Sequence, residues 1–262
     1  MKFDGRRVLI TGAARGIGRV TATVMAELGA DVALFDRNEA VAETAEQVRH
    51  LGRNAVHHLV DVADHGAVAD AVAGVEAELG PVDALVNNAG ITTNIAPLDR
   101  MSPEKWQLEL GVNLTGAFNT IQAVVGGMAE RGWGRIVNVS SAAARGGLHS
   151  QVGYASTKAG LLGLTRNVTV EYAGRGVTCN AVLPGMIGTE KVMAMPKEIF
   201  DQAVSQSPTG RPGDPAEVAH LIAFLCSDVA GYINGVDILI DGGAAMNSVV
   251  LGSRRALRER GE

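Results

Sequence analysis

This sequence predicts a single α/β domain, a doubly wound parallel sheet of about seven strands with helices on both faces. Three observations predict it. Short apolar runs alternate with amphipathic stretches at intervals of roughly 20 to 30 residues, the rhythm of strand–helix crossovers. A glycine cluster separates the first apolar run from the first helical stretch. The chain has 262 residues, 47% hydrophobic and only 19% charged, enough to bury one large core without a Pro/Ser-rich linker.

The composition narrows the function. Net charge is -5 with both signs interspersed, so no nucleic-acid partner is indicated. No run approaches the ~18 apolar residues of a membrane span. The start, Met1-Lys2-Phe3-Asp4, has no charged-then-apolar leader, and the expected location is cytoplasmic. Cys179 and Cys226 have neither metal nor disulfide spacing and read as buried free thiols; no metal is expected.

The elements follow in order. Arg7–Thr11 (Arg-Val-Leu-Ile-Thr) is a buried first strand. Gly12-Ala-Ala-Arg15-Gly16-Ile17-Gly18 comes next, then a helical pattern through Val20, Val24, Ala26 and Leu28, closed by Gly29. Glycines between a strand and a helix let backbone N–H groups meet a pyrophosphate at the helix N-terminus. The spacing is Gly-x-x-x-Gly-x-Gly rather than Gly-x-Gly-x-x-Gly, so the strand–turn–helix context carries the reading of a Rossmann-type fold.

The second strand is 31–35, ended by Asp36, which lies 18 residues after Gly18. That is close to the ~20 expected for an acid on the adenosine ribose. A carboxylate there repels a 2′-phosphate and favours NAD over NADP. Arg15 and Arg37 pull the other way, since guanidinium groups hold phosphates; the acid is given more weight. An amphipathic helix over 39–51 precedes a third strand at 55–60, ended by Asp61 and Val62 where an adenine would lie. His57 and His58 face opposite ways on that strand and read as structural. A helix over 68–79 leads to a fourth strand at 82–86 and to Asn87-Asn88-Ala89-Gly90. Amides and a glycine at a strand's carboxyl end fit a cofactor crevice.

Ser102-Pro103-Glu104 starts one long helix through Met128, with Asn113 in its middle needing a partner for its amide. The fifth strand, 135–140, ends just before Ser141. A glycine-rich loop holding His149 leads to a helix that begins near Tyr154 and runs to about 172. The sixth strand is 177–182, terminated by Pro184-Gly185, with Ile187 and Thr189 beyond it. Thr189 reaches a nicotinamide amide if the loop folds back. The stretch 189–208 carries Met193 and Met195 and reads equally as a substrate lid, bounded at about 186–212, or as a surface helix. A helix at 215–227 and a strand at 237–240 close the domain, taken as 1–245. The tail 246–262, with four arginines among acids, reads as a solvated terminus in preference to a subunit contact.

The chemistry centres on Tyr154 and Lys158, four residues apart and so on one helix face. A free tyrosine titrates near ~10. A neighbouring ammonium favours the phenolate and lowers that value, making an acid–base group. Ser141 is placed to hold a carbonyl or alcohol oxygen against the phenol.

Together, Thr11-Gly12-Ala-Ala-Arg15-Gly16-Ile17-Gly18, Asp61-Val62, Asn87-Asn88-Ala89-Gly90, Asn113, Ser141, Tyr154-x-x-x-Lys158, Pro184-Gly185 and Asp241-Gly242-Gly243 resemble the short-chain dehydrogenase/reductase family over nearly the whole chain. The pattern is similar to 3-oxoacyl-acyl-carrier-protein reductases. The resemblance implies a small-molecule alcohol or ketone as substrate, Tyr154 as acid and base, and Lys158 lowering its pKa and bonding the nicotinamide ribose. It implies Ser141 orienting the substrate oxygen and Asn113 holding a water that links Lys158 to solvent. Gly12, Arg15, Gly16, Ile17 and Gly18 would bracket the pyrophosphate and Asp36 take the ribose. Arg37, Asp61, Val62, Asn88, Ala89, Gly90, Pro184, Gly185, Ile187 and Thr189 would complete the cofactor site. A homotetramer is implied, with the Tyr154 helix and the last strand at interfaces. The thioester reductases of this family usually take NADP and lack an acid at the position of Asp36. That departure favours an NAD-linked dehydrogenase of secondary alcohols, with a 3-oxoacyl-thioester reductase or a non-catalytic dinucleotide sensor as alternatives.

Overall fold

The computed structural model describes residues 1–93, 95–205 and 207–246. Seven strands form one sheet: β1 (Arg7–Thr11), β2 (Asp31–Asp36), β3 (Ala55–Leu59), β4 (Ala84–Asn87), β5 (Gly134–Val139), β6 (Val177–Pro184) and β7 (Asp237–Ile240). Their order is β3-β2-β1-β4-β5-β6-β7, and every pairing is parallel. The helices are α1 (Gly16–Glu27), α2 (Val41–His50), α3 (His65–Leu79), α4 (Pro103–Leu110), α5 (Gly116–Glu130), α6 (Ala143–Gly146), α7 (Val152–Tyr172), α8 (Glu190–Met193), α9 (Lys197–Ser205) and α10 (Pro215–Cys226).

A parallel sheet must be covered on both faces, and side-chain alternation along β1 divides the core accordingly. Val8 and Ile10 pack with Met25 of α1, Val41 and Val48 of α2, and Val218 and Ile222 of α10. Leu9 points the other way, to Val68 and Val72 of α3, Val124 and Met128 of α5, and Val168 of α7. All residues of β5 and β6 are buried, which is why these strands read as apolar runs rather than alternating ones. The strand order reverses between β1 and β4, so the crevice outside their carboxyl ends is the expected ligand position.

Local chemistry sets several helix starts. Asp64 accepts the Ala67 amide at the start of α3. Ser102 caps α4 with Pro103 in its first turn. Asp214 and Glu217 form a reciprocal capping box at α10.

Three stretches differ from the sequence reading. The single helix expected through Met128 is α4 and α5 joined by a π-helical turn, Gly111–Thr115, which contains Asn113. The loop after Ser141 carries the short α6, and 189–208 holds α8 and α9. Strand β4 is Ala84–Asn87 rather than 82–86, because Val82 precedes the ladder and Asn87 pairs with Asn138. The tail contact considered for 246–262 falls almost wholly outside the described residues.

Candidate active site

The carboxyl ends of the strands open into a cleft of about 830 Å³. At its floor is the glycine turn. Gly12 has φ +65, and a Cβ there would stand 2.8 Å from Ala89 Cα. A Cβ on Gly18 would stand 2.2 Å from the Gly12 carbonyl oxygen. Only glycine lets α1 start this close to β1. Asn88 Nδ2 donates to the carbonyls of Thr11 and Gly12, at 3.0 and 2.9 Å. Thr11 Oγ1 accepts the amides of Asn88 and Ala89. The α1 N-terminus has no side-chain cap bond from Arg15 and no acid in its first turn. Its first amides are therefore a ready site for an anion such as a pyrophosphate. Gly16 and Ile17 line the cleft beside Arg15.

The end of β2 supplies the acid. Asp36 Oδ2 accepts the Ala14 amide and Oδ1 the Asn38 amide, both at 2.9 Å. The carboxylate thus braces the glycine turn and keeps lone pairs for a further donor. Arg37 does not stand free for a phosphate: its Nη1 donates to Asp61 Oδ2 at 3.1 Å across the mouth of the cleft. Val62 also lines the cleft.

The candidate reactive side chains and the asparagine behind them come from three elements. Tyr154 and Lys158 lie on the first two turns of α7, and Ser141 lies just past β5. Tyr154 and Ser141 line the same cleft, where the Ser141 hydroxyl favours the Tyr154 phenolate. Lys158 Nζ donates to the Val139 carbonyl at 2.7 Å and lies 5.7 Å from the Tyr154 ring centroid. Asn113 Oδ1 accepts the Ile91 amide at 2.7 Å, and Nδ2 donates to the Ile91 carbonyl and to Thr157 Oγ1. Its amide is satisfied by protein, so the π turn presents this side chain to the cleft wall.

The electrostatics depart from the simple expectation. The Tyr154 phenol is raised from its ordinary value, because burial opposes the phenolate, and the Ser141 hydrogen bond only partly offsets this. Burial also lowers Lys158, to about 8. The phenol is thus raised rather than lowered as the sequence suggested, because its own burial dominates.

The far wall is the stretch after β6. Gly185 donates to the Ile240 carbonyl at 3.0 Å. Ile187 pairs with Gly213: the Gly188 amide donates to the Gly213 carbonyl and the Gly213 amide to the Met186 carbonyl, clamping the base of the segment that carries α8 and α9. The loop does fold back: Thr189 sits beside Gly16, with its Cγ2 3.2 Å from where a Gly16 Cβ would be. Gly90, Ala89, Pro184 and Gly185 also line the cleft, so every expected site residue borders it except Gly18 and Asn113, which support it from behind.

Sequence reading missed Thr11 as the clip of the glycine turn, Thr93 on the cleft wall and the buried Glu109 that bonds Thr93 from behind. Thr11 was legible as a hydroxyl at a strand end. Glu109 gave no signal, because an acid on a helix reads as solvated.

Comparison with known proteins agrees with this fold. A family model described as Enoyl-(Acyl carrier protein) reductase matches residues 12–245. The chain is 44% identical to an acetoacetyl-CoA reductase of Rhizobium meliloti over 240 residues, 91% of this chain and 98% of that one. It is 41% identical to a 3-oxoacyl-acyl-carrier-protein reductase of Thermotoga maritima, over 93% of this chain and 99% of that one. Among solved structures, levodione reductase superposes with TM-score 0.90 at 33% identity, covering 94% of this chain and 100% of that one. NAD+-bound xylitol dehydrogenase superposes with TM-score 0.88 at 31% identity, covering 93% and 100%.

Proposed function

The chain belongs to the short-chain dehydrogenase/reductase family, an oxidoreductase acting on a hydroxyl or keto group with a nicotinamide cofactor, and we propose that it interconverts 3-oxoacyl and 3-hydroxyacyl thioesters using NAD(H). The observation that carries the reading is the convergence of Ser141, Tyr154 and Lys158 on one cleft, with Lys158 buried and its Nζ 5.7 Å from the Tyr154 ring centroid. The names of the most similar curated relatives point to the thioester substrate.

The glycine turn and the uncapped start of α1 fit a dinucleotide, whose nicotinamide supplies or takes the hydride. Asp36 supports the NAD preference, since a 2′-phosphate there would meet its carboxylate, and Arg37 is engaged by Asp61. Ser141 orients the substrate oxygen. The Tyr154 phenol gives that oxygen a proton in reduction and takes it back in oxidation, help worth typically ~10² to 10⁴ in rate. Lys158 stabilises the phenolate when both are charged. The Asn113 side chain is fully engaged, so a water held there for proton exchange would sit on its main-chain carbonyl.

Residues 1–245 are read as the catalytic unit and α8–α9 as its lid. Assembly as a homotetramer belongs to the same proposal, supported by Val170 on α7 and Tyr232, apolar side chains 83% and 105% exposed. No described helix is long and apolar enough to cross a membrane.

Initial rates with acetoacetyl-CoA, longer 3-oxoacyl-CoAs, a cyclic diketone and xylitol, each with both nicotinamide cofactors, test the reading. It predicts the highest kcat/KM for a 3-oxoacyl thioester with NADH. A second reading, an NAD-linked dehydrogenase of polyols or cyclic ketones, is favoured by Asp36 and by the NAD+-bound structural neighbour. Turnover confined to those substrates would replace the first.

A further inference from the structure

Glu109 lies on the last turns of α4 and is fully buried. A carboxyl group in such a place is costly unless its oxygens are bonded. One of them is: Oε1 accepts from the Thr93 amide at 2.7 Å and from Thr93 Oγ1 at 3.1 Å. The other, Oε2, is buried with no hydrogen-bond partner. It lies against Gly153 in the first turn of α7, where a Cβ would stand 2.3 Å from it. That turn has no side-chain cap bond from Gln151 and no acid of its own. A helix start favours a negative group at its positive end.

The arrangement repeats one turn on. Asn113, four residues after Glu109, bonds both backbone groups of Ile91 and donates to Thr157, four residues after Gly153. Glu109 and Asn113 are two parallel rungs. Each runs from the cleft wall at 91–93 to α7, and each meets α7 one residue before a reactive side chain, Tyr154 or Lys158. Thr93 itself lines the cleft with Tyr154. An apolar side chain would fill the Glu109 position without an orphaned oxygen, so filling space does not account for the acid.

We propose that Glu109 is a positioning residue for the reaction: it fixes the Thr93 wall and the first turn of α7 against each other, and so sets where the Tyr154 phenol meets the substrate oxygen. This rests on the reading of Tyr154 as the proton-transfer group and is independent of which ketone is the substrate. Displacements well under an ångström matter here, because a misplacement of about 1 Å can cost ~10² in rate.

The test compares Glu109→Leu, Glu109→Gln and Gly153→Ala, using the best ketone of the panel above and following kcat, KM and NADH binding by fluorescence. Glu109→Leu should lose at least tenfold in kcat while NADH Kd stays within twofold. Glu109→Gln, which keeps an oxygen for Thr93, should recover to within about threefold of wild type. Gly153→Ala, which presses a methyl onto Oε2 from the other side, should lower kcat with NADH binding intact, and decides the matter if Glu109→Leu fails to fold. The proposal is overturned if Glu109→Leu keeps kcat within twofold, if glutamine does no better than leucine, or if NADH binding falls in step with kcat. Tyr154→Phe, run alongside, separates the two readings: near-normal turnover in that variant would refute the role of Tyr154 whatever the Glu109 series gives.

Discussion

Lys158→Met should make the cofactor-free protein more stable while stopping its chemistry. Burial takes the Lys158 ammonium from 10.5 to about 8. At ~1.4 kcal/mol per pH decade, holding it charged costs the folded state about 3 kcal/mol at neutral pH. No carboxylate offsets this: among the described residues Lys158 has no ion pair, and its Nζ donates to the Val139 carbonyl at 2.7 Å. Methionine has nearly the same length and no charge, but it leaves that carbonyl without a partner, a loss of about 1–2 kcal/mol. The net expectation is a gain of about 1–2 kcal/mol, or a melting temperature higher by roughly 2–8 °C for a chain of this size. The sign with pH follows from proton counts. Between about 8 and 10.5 the unfolded chain holds a proton on Lys158 that the folded protein has released, so wild-type stability rises with pH through that window. Below it the cost is constant. The advantage of the variant should therefore be full at pH 7 and shrink as pH rises above 8. Thermal melts of both proteins without cofactor at pH 7 and pH 10, with turnover at pH 7, read the effect. A variant that melts below wild type at pH 7, or a gap equal at both pH values, refutes the reasoning.

Two further substitutions probe the cofactor end of the cleft. Asp36→Ser removes the carboxylate while leaving a hydroxyl for the Ala14 or Asn38 amide, and the ratio of kcat/KM with NADPH to that with NADH should rise at least tenfold; an unchanged ratio means the acid does not select the cofactor. Gly18→Ala puts a methyl 2.2 Å from the Gly12 oxygen and 2.6 Å from Asn88 Nδ2, both held by the β4 clip. Cofactor Kd should rise at least tenfold by fluorescence titration, and wild-type affinity would show that the turn yields freely.

The sequence made the sheet legible because a strand buried on both faces cannot hide its apolar run, and β1, β5 and β6 were visible on that ground alone. The glycine cluster running from the end of β1 into α1 had one geometrical use, and Gly12 and Gly18 have it. The π turn at Gly111–Thr115 was not legible, because one extra residue in a turn leaves the amphipathic pattern of its flanking helices intact. Asn113 announced only that something there needed a partner. Arg37 looked available for a phosphate because its engagement depends on Asp61, 24 residues away in sequence. The direction of the Tyr154 shift could not be read either. Spacing places an ammonium beside a phenol, but only the packed structure reveals that burial of the phenol sets the direction, against the smaller effect of the Ser141 hydroxyl. Glu109 was the least visible, since its orphaned oxygen exists only once α7 has packed against it.

The central claim is that the Tyr154 phenol, in the same cleft as Ser141, moves the proton on the substrate oxygen. Single-turnover reduction by Tyr154→Phe at saturating NADH isolates that step from binding. A fall of at least ~10² in the rate of NADH oxidation, with NADH Kd within twofold of wild type, is the predicted result. A rate within threefold of wild type contradicts the account.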